Sequence, residues 1–170
     1  MESGHRFAGP AARVALAALT VVSAALASVP EVAVEIAVAR EVVVRDASGA
    51  ERVKLEPVGA VRPGDVLVYT LRAENRGAAP ALSARIEDPI PAGTLVILES
   101  VPTDGVAAEA SLDGGSSWQA FPATVRVVGA DGVARDVPAP ASSYTHLRWS
   151  LAEPLAAGAA RDLRFKVRVR

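Results

Sequence analysis

The feature that most constrains the fold is the alternation within residues 62–77, which read Arg-Pro-Gly-Asp-Val-Leu-Val-Tyr-Thr-Leu-Arg-Ala-Glu-Asn-Arg-Gly. A Pro-Gly pair opens the stretch, and Leu67, Tyr69, Leu71 and Ala73 then occupy every second position. Side chains of a strand point alternately to two faces, so this pattern predicts a half-buried β-strand. Asn75 begins an Asn-Arg-Gly turn that predicts the end of the strand.

The same period of two recurs along the chain and predicts an all-β protein. Further strands are expected at residues 82–87, 94–99, 106–112, 124–128, 133–137, 147–151 and 163–169. In the first of these, Leu82, Ala84 and Ile86 share the apolar face. Asp88 then opens the sequence Asp-Pro-Ile-Pro-Ala-Gly, whose two prolines predict a break in the sheet.

Three aromatic residues are expected at the centre of the core. Tyr69, Trp149 and Phe165 fall on the inward positions of three different predicted strands, so we expect them to form one buried cluster. Residues 164, 166, 168 and 170 place Arg and Lys on the opposite face of the last strand. This basic row predicts a solvated outer face or a charge-protected edge strand, with anion binding as the alternative.

One strand and a two-stranded hairpin are predicted before residue 62. Val32, Val34, Ile36 and Val38 alternate with small or charged residues, and residues 42–45 and 52–55 flank a turn at residues 46–50. In the second strand of this hairpin, Val53 and Leu55 are expected to point inward. The first strand either folds back onto its own sheet or adds to the sheet of a neighbouring molecule; short connections favour folding back.

The first 27 residues have the composition of a signal peptide. A weakly basic leader precedes an apolar run at residues 14–25, and Ala25-Leu26-Ala27 gives the small-x-small pattern recognised by signal peptidase. This predicts cleavage before Ser28, export of residues 28–170 as one domain, and no membrane span in the mature chain. A retained anchor or a buried apolar helix is the alternative interpretation.

Residues 111–118 read Ser-Leu-Asp-Gly-Gly-Ser-Ser-Trp, which resembles the Asp-box hairpin known from sialidase propellers. In such a turn, the Asp113 carboxylate accepts hydrogen bonds from turn N–H groups and Trp118 packs beneath them. A sugar or calcium site at Asp113 is the functional alternative. A single copy does not predict a propeller, which needs several blades.

Little in the sequence points to catalysis. The chain has no cysteine and two histidines, of which His146 is expected on a solvated outer face, so a zinc set or a nucleophile–base pair is not predicted. No Gly-rich stretch precedes a helix in the pattern of a phosphate-binding loop. A net charge of −1 gives no field that would recruit nucleic acid. We therefore predict a non-enzyme without a cofactor.

Five pieces of the sequence, in order, carry a family resemblance: Pro-Gly-Asp-x-Leu-x-Tyr-x-Leu at 63–71, Asn-x-Gly at 75–77, Ile-x-Asp-Pro-Ile-Pro-Ala-Gly at 86–93, Leu-x-Trp at 147–149, and Leu-Ala-Ala-Gly through Phe-x-Val-x-Val at 155–169. Together they resemble the conserved-repeat domain of bacterial and archaeal surface proteins, called domain of unknown function eleven. The resemblance covers about residues 61–170. It implies an immunoglobulin-like antiparallel β-sandwich, here in one copy with an added N-terminal strand and hairpin.

The resemblance also implies the class of function. It predicts an exported, non-catalytic protein of the cell envelope, periplasmic, surface-bound or secreted, whose partner is an unknown protein or an envelope polymer. The alternative is a fibre or oligomer subunit that assembles by β-strand addition through its N-terminal strand. A carbohydrate-binding module using Trp118 or Tyr144 is a third, weaker hypothesis.

Overall fold

The computed structural model describes residues 29–170, and the predicted signal peptide lies outside the described residues. The described part is built from antiparallel strands with two short 3-10 helices, Leu98–Ser100 and Ala141–Ser143. The strands are β1 (Val32–Arg45), β2 (Glu51–Pro57), β3 (Val66–Asn75), β4 (Arg85–Pro89), β5 (Thr94–Ile97), β6 (Val106–Ser111), β7 (Gln119–Ala120), β8 (Thr124–Val128), β9 (Ala134–Pro138), β10 (His146–Leu151) and β11 (Ala160–Val169).

Two sheets pack face to face. Among residues 29–170, the larger sheet has the order β2-β1-β3-β11-β5 and the smaller sheet the order β4-β10-β6-β7, while β8 and β9 form a separate hairpin. The predicted all-β sandwich is confirmed at this level. The two strands predicted with the most regular alternation, β3 and β11, pair with each other near the middle of the larger sheet. One face of each strand packs on the core there and the other does not, so the register is strongly specified.

The core lies between β3 and β11 of the larger sheet and β10 of the smaller one. Trp149 and Phe165 are fully buried, with ring centroids 5.7 Å apart across the two layers, and Tyr69 stacks on Phe165 at 5.3 Å. The structure thus brings the three predicted aromatic residues together. Tyr69 differs from the expectation in remaining partly exposed.

Several details of the sequence interpretation are wrong. Val53 and Leu55 point outward and stay 61 % and 48 % exposed, because the strand register places them on the outer face of the larger sheet, which the smaller sheet does not cover. Leu82 is exposed because regular pairing of β4 with β10 begins only at Arg85. β5 ends at Ile97, where a 3-10 turn replaces the predicted end of that strand.

The basic row of residues 164–170 does not lie on an edge strand, which was one of the two predictions for it. It belongs to β11, which lies between β3 and β5 and is therefore an interior strand, not an edge. Its charges are partly compensated, since Lys166 forms an ion pair with Glu41 and Arg164 lies 3.9 Å from Asp162. This pairing weakens the alternative of a dedicated anion site on that face.

Candidate interaction surface

One edge of the larger sheet is left open along part of β1. Residues 32–41 of β1 pair with β3 on one side, but on the other side only residues 39–45 pair with β2. The pairing with β2 stops where Pro57 lies opposite Ala39. Among residues 29–170, nothing pairs with residues 32–38 on that side, and we call this stretch the open edge.

The hydrogen-bond alternation of β1 identifies the unpaired backbone groups. The N–H of Arg76 donates to the carbonyl of Glu31 at 2.7 Å, so Glu31 belongs to a bonded pair of the β1–β3 ladder. In an antiparallel ladder bonded pairs recur at every second residue, which directs the groups of residues 33, 35 and 37 toward β3. The N–H and C=O groups of residues 32, 34, 36 and 38 therefore point out of the open edge.

The side chains beside these groups are apolar and accessible. Val34 lies opposite Ala73 and Ile36 opposite Leu71, and both partners on β3 are completely buried in the core. Val34 and Ile36 are nevertheless 42 % and 52 % exposed, because the smaller sheet ends at β4 and leaves this part of β1 uncovered. The open edge thus combines unpaired backbone groups with apolar surface.

The charges close to the open edge are already paired. Glu35 is the one charged residue at positions 32–38, and Arg76 forms an ion pair with it at 2.6 Å and a second with Glu74 at 3.3 Å. Sheet edges are usually protected by charges, by proline or by being short. Other described edges follow this rule: β2 carries Glu51, Arg52, Lys54, Glu56 and Pro57, β4 carries Arg85, Glu87 and Pro89, and β5 has four residues.

Asn75 fixes the position of the open edge. Its buried side-chain amide accepts hydrogen bonds from the N–H groups of Glu31 at 3.2 Å and Gly77 at 3.1 Å, and donates to the carbonyls of Ala79 and Leu155, both at 2.8 Å. The chain entering β1 passes so close to Gly77 that any side chain there would collide with it. The residue expected only to end a strand therefore ties β1 to the sandwich.

Asp88 is buried on the inner face of β4, 4 % exposed, and one of its carboxylate oxygens has no hydrogen-bond partner among the described residues. Burial raises the pKa of this carboxyl group to about 6, partly offset by the nearby His146. Burial raises the pKa of Tyr69, and the negative charge of Asp88 adds to this effect. The sequence predicted a strand break after Asp88 and gave no sign of this buried charge.

Asp113 occupies the turn expected for it. Its carboxylate accepts hydrogen bonds from the N–H and hydroxyl of Ser117 at 2.8 and 2.6 Å and from the hydroxyl of Ser111 at 2.7 Å. These bonds, led by the Ser117 hydroxyl, lower the pKa of Asp113 to about 2. The carboxylate oxygens are thus engaged within the turn, which is the structural role proposed for the motif.

Trp118 packs against the outer face of β10. The guanidinium of Arg148 lies 3.9 Å from the Trp118 ring centroid, and His146 meets the ring edge-on at 6.3 Å. Arg148 also forms an ion pair with Glu109 at 2.9 Å and lowers the pKa of that carboxyl group. His146 is therefore not the freely solvated histidine expected from the sequence: it is partly buried, and its Nδ1 is buried without a described partner.

Tyr144, the other aromatic residue considered for sugar binding, is buried, and its hydroxyl accepts a hydrogen bond from the N–H of Ala123 at 3.0 Å. Its ring packs edge-on against Phe121 at 5.9 Å. Tyr144 therefore offers no free stacking platform, and Arg148 covers one face of the Trp118 ring.

A second accessible apolar region lies on the outer face of the larger sheet. A groove of about 350 Å³ there is lined by Glu41, Val53, Leu55, Val68, Ser100, Arg164, Phe165 and Lys166. The ion pair of Glu41 and Lys166 borders this apolar lining. The groove shows that the β1–β2 hairpin exposes apolar side chains on the outer face of the larger sheet.

The described residues contain neither a metal-holding group nor a membrane-crossing helix. No group of three His, Asp or Glu residues within 29–170 is arranged to hold a metal ion, and no helix in that range is long and apolar enough to cross a bilayer. Comparison of the chain with family models, with curated proteins and with solved structures finds no match.

The sequence interpretation missed the open edge as a site, although it singled out the strand that forms it. The residue that could have revealed this edge was Pro57. It ends β2 opposite Ala39, so residues 32–38 of the longer strand β1 have no partner on that side. The sequence interpretation also missed that Arg148 contacts both Trp118 and Glu109. These residues lie on three separate strands or turns, so their proximity depends on the sheet register.

Proposed function

We propose that this protein is an exported, non-catalytic module of the cell envelope that binds another protein by β-strand addition. The observation that carries the proposal is the open edge, where four residues present unpaired backbone groups beside exposed Val34 and Ile36. An extended chain that pairs with such an edge satisfies the backbone groups and buries the apolar side chains at once. The antiparallel sandwich supports the further proposal of an immunoglobulin-like domain.

Export is part of the same proposal and rests on the sequence of residues 1–27. The experiment has two parts: intact-mass measurement of the protein from the host envelope should show a chain beginning at Ser28, and photo-crosslinking in the same cells should capture a partner protein when the photoreactive residue replaces Ile36. Replacement of Val128, which is 68 % exposed and lies on the separate β8–β9 hairpin, is the matched control. Full-length chain retained in the membrane, or equal crosslinking from both positions, would contradict the proposal.

A second candidate is an oligomer or fibre subunit in which β1 adds to the sheet of a neighbouring molecule. The continuous alternation of β1 and its position near the sheet edge favour it. Against it, residues 32–41 pair with β3 of the same chain and Asn75 holds Glu31 at the start of β1. Concentration-dependent polymers that disappear on deletion of residues 28–40, leaving a folded monomer, would establish this alternative.

A further inference from the structure

We infer that the open edge accepts an extended, uncharged segment of a second protein, which runs antiparallel to β1 with apolar side chains opposite Val34 and Ile36. This inference rests on the proposed function, because it specifies the partner of the same edge. It follows from four features of that edge: the spacing of its backbone groups, its side chains, its charges and the position of Pro57.

The backbone groups require an extended polypeptide. Residues 32, 34, 36 and 38 present N–H and C=O groups at every second position, about 6.8 Å apart along the strand. Only another strand repeats donors and acceptors at that interval. β2 already runs antiparallel to β1 on this side, so an added antiparallel strand would lie in line with β2 and continue its ladder.

The side chains set which face of the added strand must be apolar. Residues directly opposite each other in an antiparallel pair share a face of the sheet. The residues opposite Val34 and Ile36 therefore point toward the smaller sheet, into the space beside β4 that no described residue fills. The residues opposite Ala33, Glu35 and Ala37 point to the solvent face.

The charges favour a segment without ionised side chains along the paired stretch. Glu35 is already neutralised by Arg76, so a basic residue of the partner would compete with an existing ion pair instead of meeting a free carboxylate. An acidic residue opposite Glu35 would be repelled. Uncharged polar residues on the solvent face meet neither penalty.

A second copy of this chain cannot pair the whole of its own open edge with this one. A full match of two open edges would place Val32 of one copy opposite Val38 of the other, so Glu31 would need the position beside Ala39 that Pro57 already holds. The same match would set the two Glu35 side chains directly opposite each other. Pro57 also requires that any incoming antiparallel strand begin, or turn, beside Val38.

The test uses a synthetic peptide and hydrogen exchange of individual backbone amides in the mature protein, residues 28–170. The probe is an acetylated Val-Thr-Val-Thr-Val-Thr-Val peptide followed by two lysines, which would extend past Val32 where the edge is unobstructed. Its control is a peptide of seven threonines with the same two lysines. Threonine has nearly the shape of valine but carries a hydroxyl, so this peptide has no apolar face in any register and keeps the same length and charge.

The inference predicts that the probe slows exchange of the Val34 and Ile36 amides and leaves those of Glu35 and Ala37, which already bond to β3, unchanged. The threonine peptide should bind at least about tenfold more weakly, because the apolar cross-strand pairs are lost. In the protein, Ile36→Lys should abolish probe binding and Val128→Lys should not. The peptide comparison leaves the protein unaltered, so it stands even if a variant folds poorly.

Equal binding of the two peptides, or no change at Val34 and Ile36 with millimolar probe, would overturn the inference. If crosslinking through position 36 still captured a partner in that case, the binding edge would stand and the chemistry assigned to the partner would be wrong. If crosslinking failed as well, the proposed function itself would be rejected.

Discussion

The side-chain Oδ1 of Asn75 accepts a hydrogen bond from the backbone N–H of Glu31, 44 residues earlier in the chain, at 3.2 Å. This bond lies at the point where the chain enters β1, and the same amide also holds Gly77, Ala79 and Leu155. A single buried side chain therefore links the N-terminal strand, the end of β3 and the segment before β11.

We predict that Asn75→Ala lowers the free energy of unfolding by about 2 to 4 kcal/mol, because several buried backbone groups lose their partner at once. Chemical denaturation measures the loss. The matched control on the same strand is Arg72→Ala, whose exposed ion pair with Asp162 at 3.4 Å should contribute less than about 1 kcal/mol. Equal effects of the two substitutions would show that the amide is not a structural hub.

Gly77→Ala should be destabilising for a steric reason. An added Cβ would lie 2.3 Å from the carbonyl oxygen of Val29 and 2.4 Å from the nitrogen of Glu31, both backbone atoms. We expect a loss of about 1 to 3 kcal/mol as the entry to β1 shifts. Gly59→Ala is the control, since an added Cβ there meets no atom within 4 Å, and it should be neutral or slightly stabilising.

The two tryptophans should differ sharply in their contribution to stability. Trp149→Ala removes a fully buried ring from between the sheets and should cost about 3 to 5 kcal/mol. Trp118→Ala removes a partly exposed ring held by Arg148 on an outer face and should cost less. If denaturant midpoints ranked the two variants in the opposite order, the core would lie on the other face of β10.

Asp88 should make stability fall as the pH rises through the weakly acidic range. Its folded pKa of about 6 is above the ordinary value of 3.8, so between these values the folded state binds more protons than the unfolded state. The ionised, buried carboxylate then costs up to about 3 kcal/mol at neutral pH. Asp88→Asn should stabilise the protein above about pH 6 and have little effect below about pH 4.

Unfolding titrations of parent and variant in parallel, from pH 4 to pH 8, give the difference directly and cancel the contributions of other groups. A difference that does not change with pH would mean that Asp88 has an ordinary pKa. A variant less stable than the parent at every pH would mean that the carboxylate is needed in its charged form.

For Asp113 the pH dependence has the opposite sign. Its folded pKa of about 2 lies below the ordinary 3.8, so its contribution is present above about pH 4 and is lost as the pH falls through 2. Asp113→Ala should lower the melting temperature slightly at pH 7, and calcium should change the melting temperature of neither protein. A calcium-dependent rise that occurs only in the parent would assign Asp113 to a metal site.

The sequence predicted best the strands whose two faces meet very different surroundings. Leu71, Leu163 and Phe165 sit at the buried positions that their alternation indicates, because β3 and β11 lie inside the larger sheet. The alternation predicted the strands correctly for Val34, Ile36, Val53 and Leu55, but these four side chains are exposed. A period of two shows that a strand has an apolar face, and whether the opposite sheet extends far enough to cover that face is decided by strand order.

The unpaired backbone of the open edge was beyond local sequence reasoning for a similar reason. It depends on β1 being longer than β2 and on which side of β1 each neighbour pairs. The roles of Asn75 and Asp88 likewise depend on contacts with residues far away in the chain. The Asp113 turn was predictable because the hydrogen bonds that its carboxylate accepts stay within residues 111–117.

The central position of β11 in the larger sheet has a consequence for the order of events during synthesis. β3 and β5 are joined only through β11, which is the last of the described strands to be synthesised. A nascent chain that stops before residue 160 therefore has no means of joining these two strands, and Phe165 is missing from the aromatic core. The sandwich is thus completed only after nearly all of the described domain has been made.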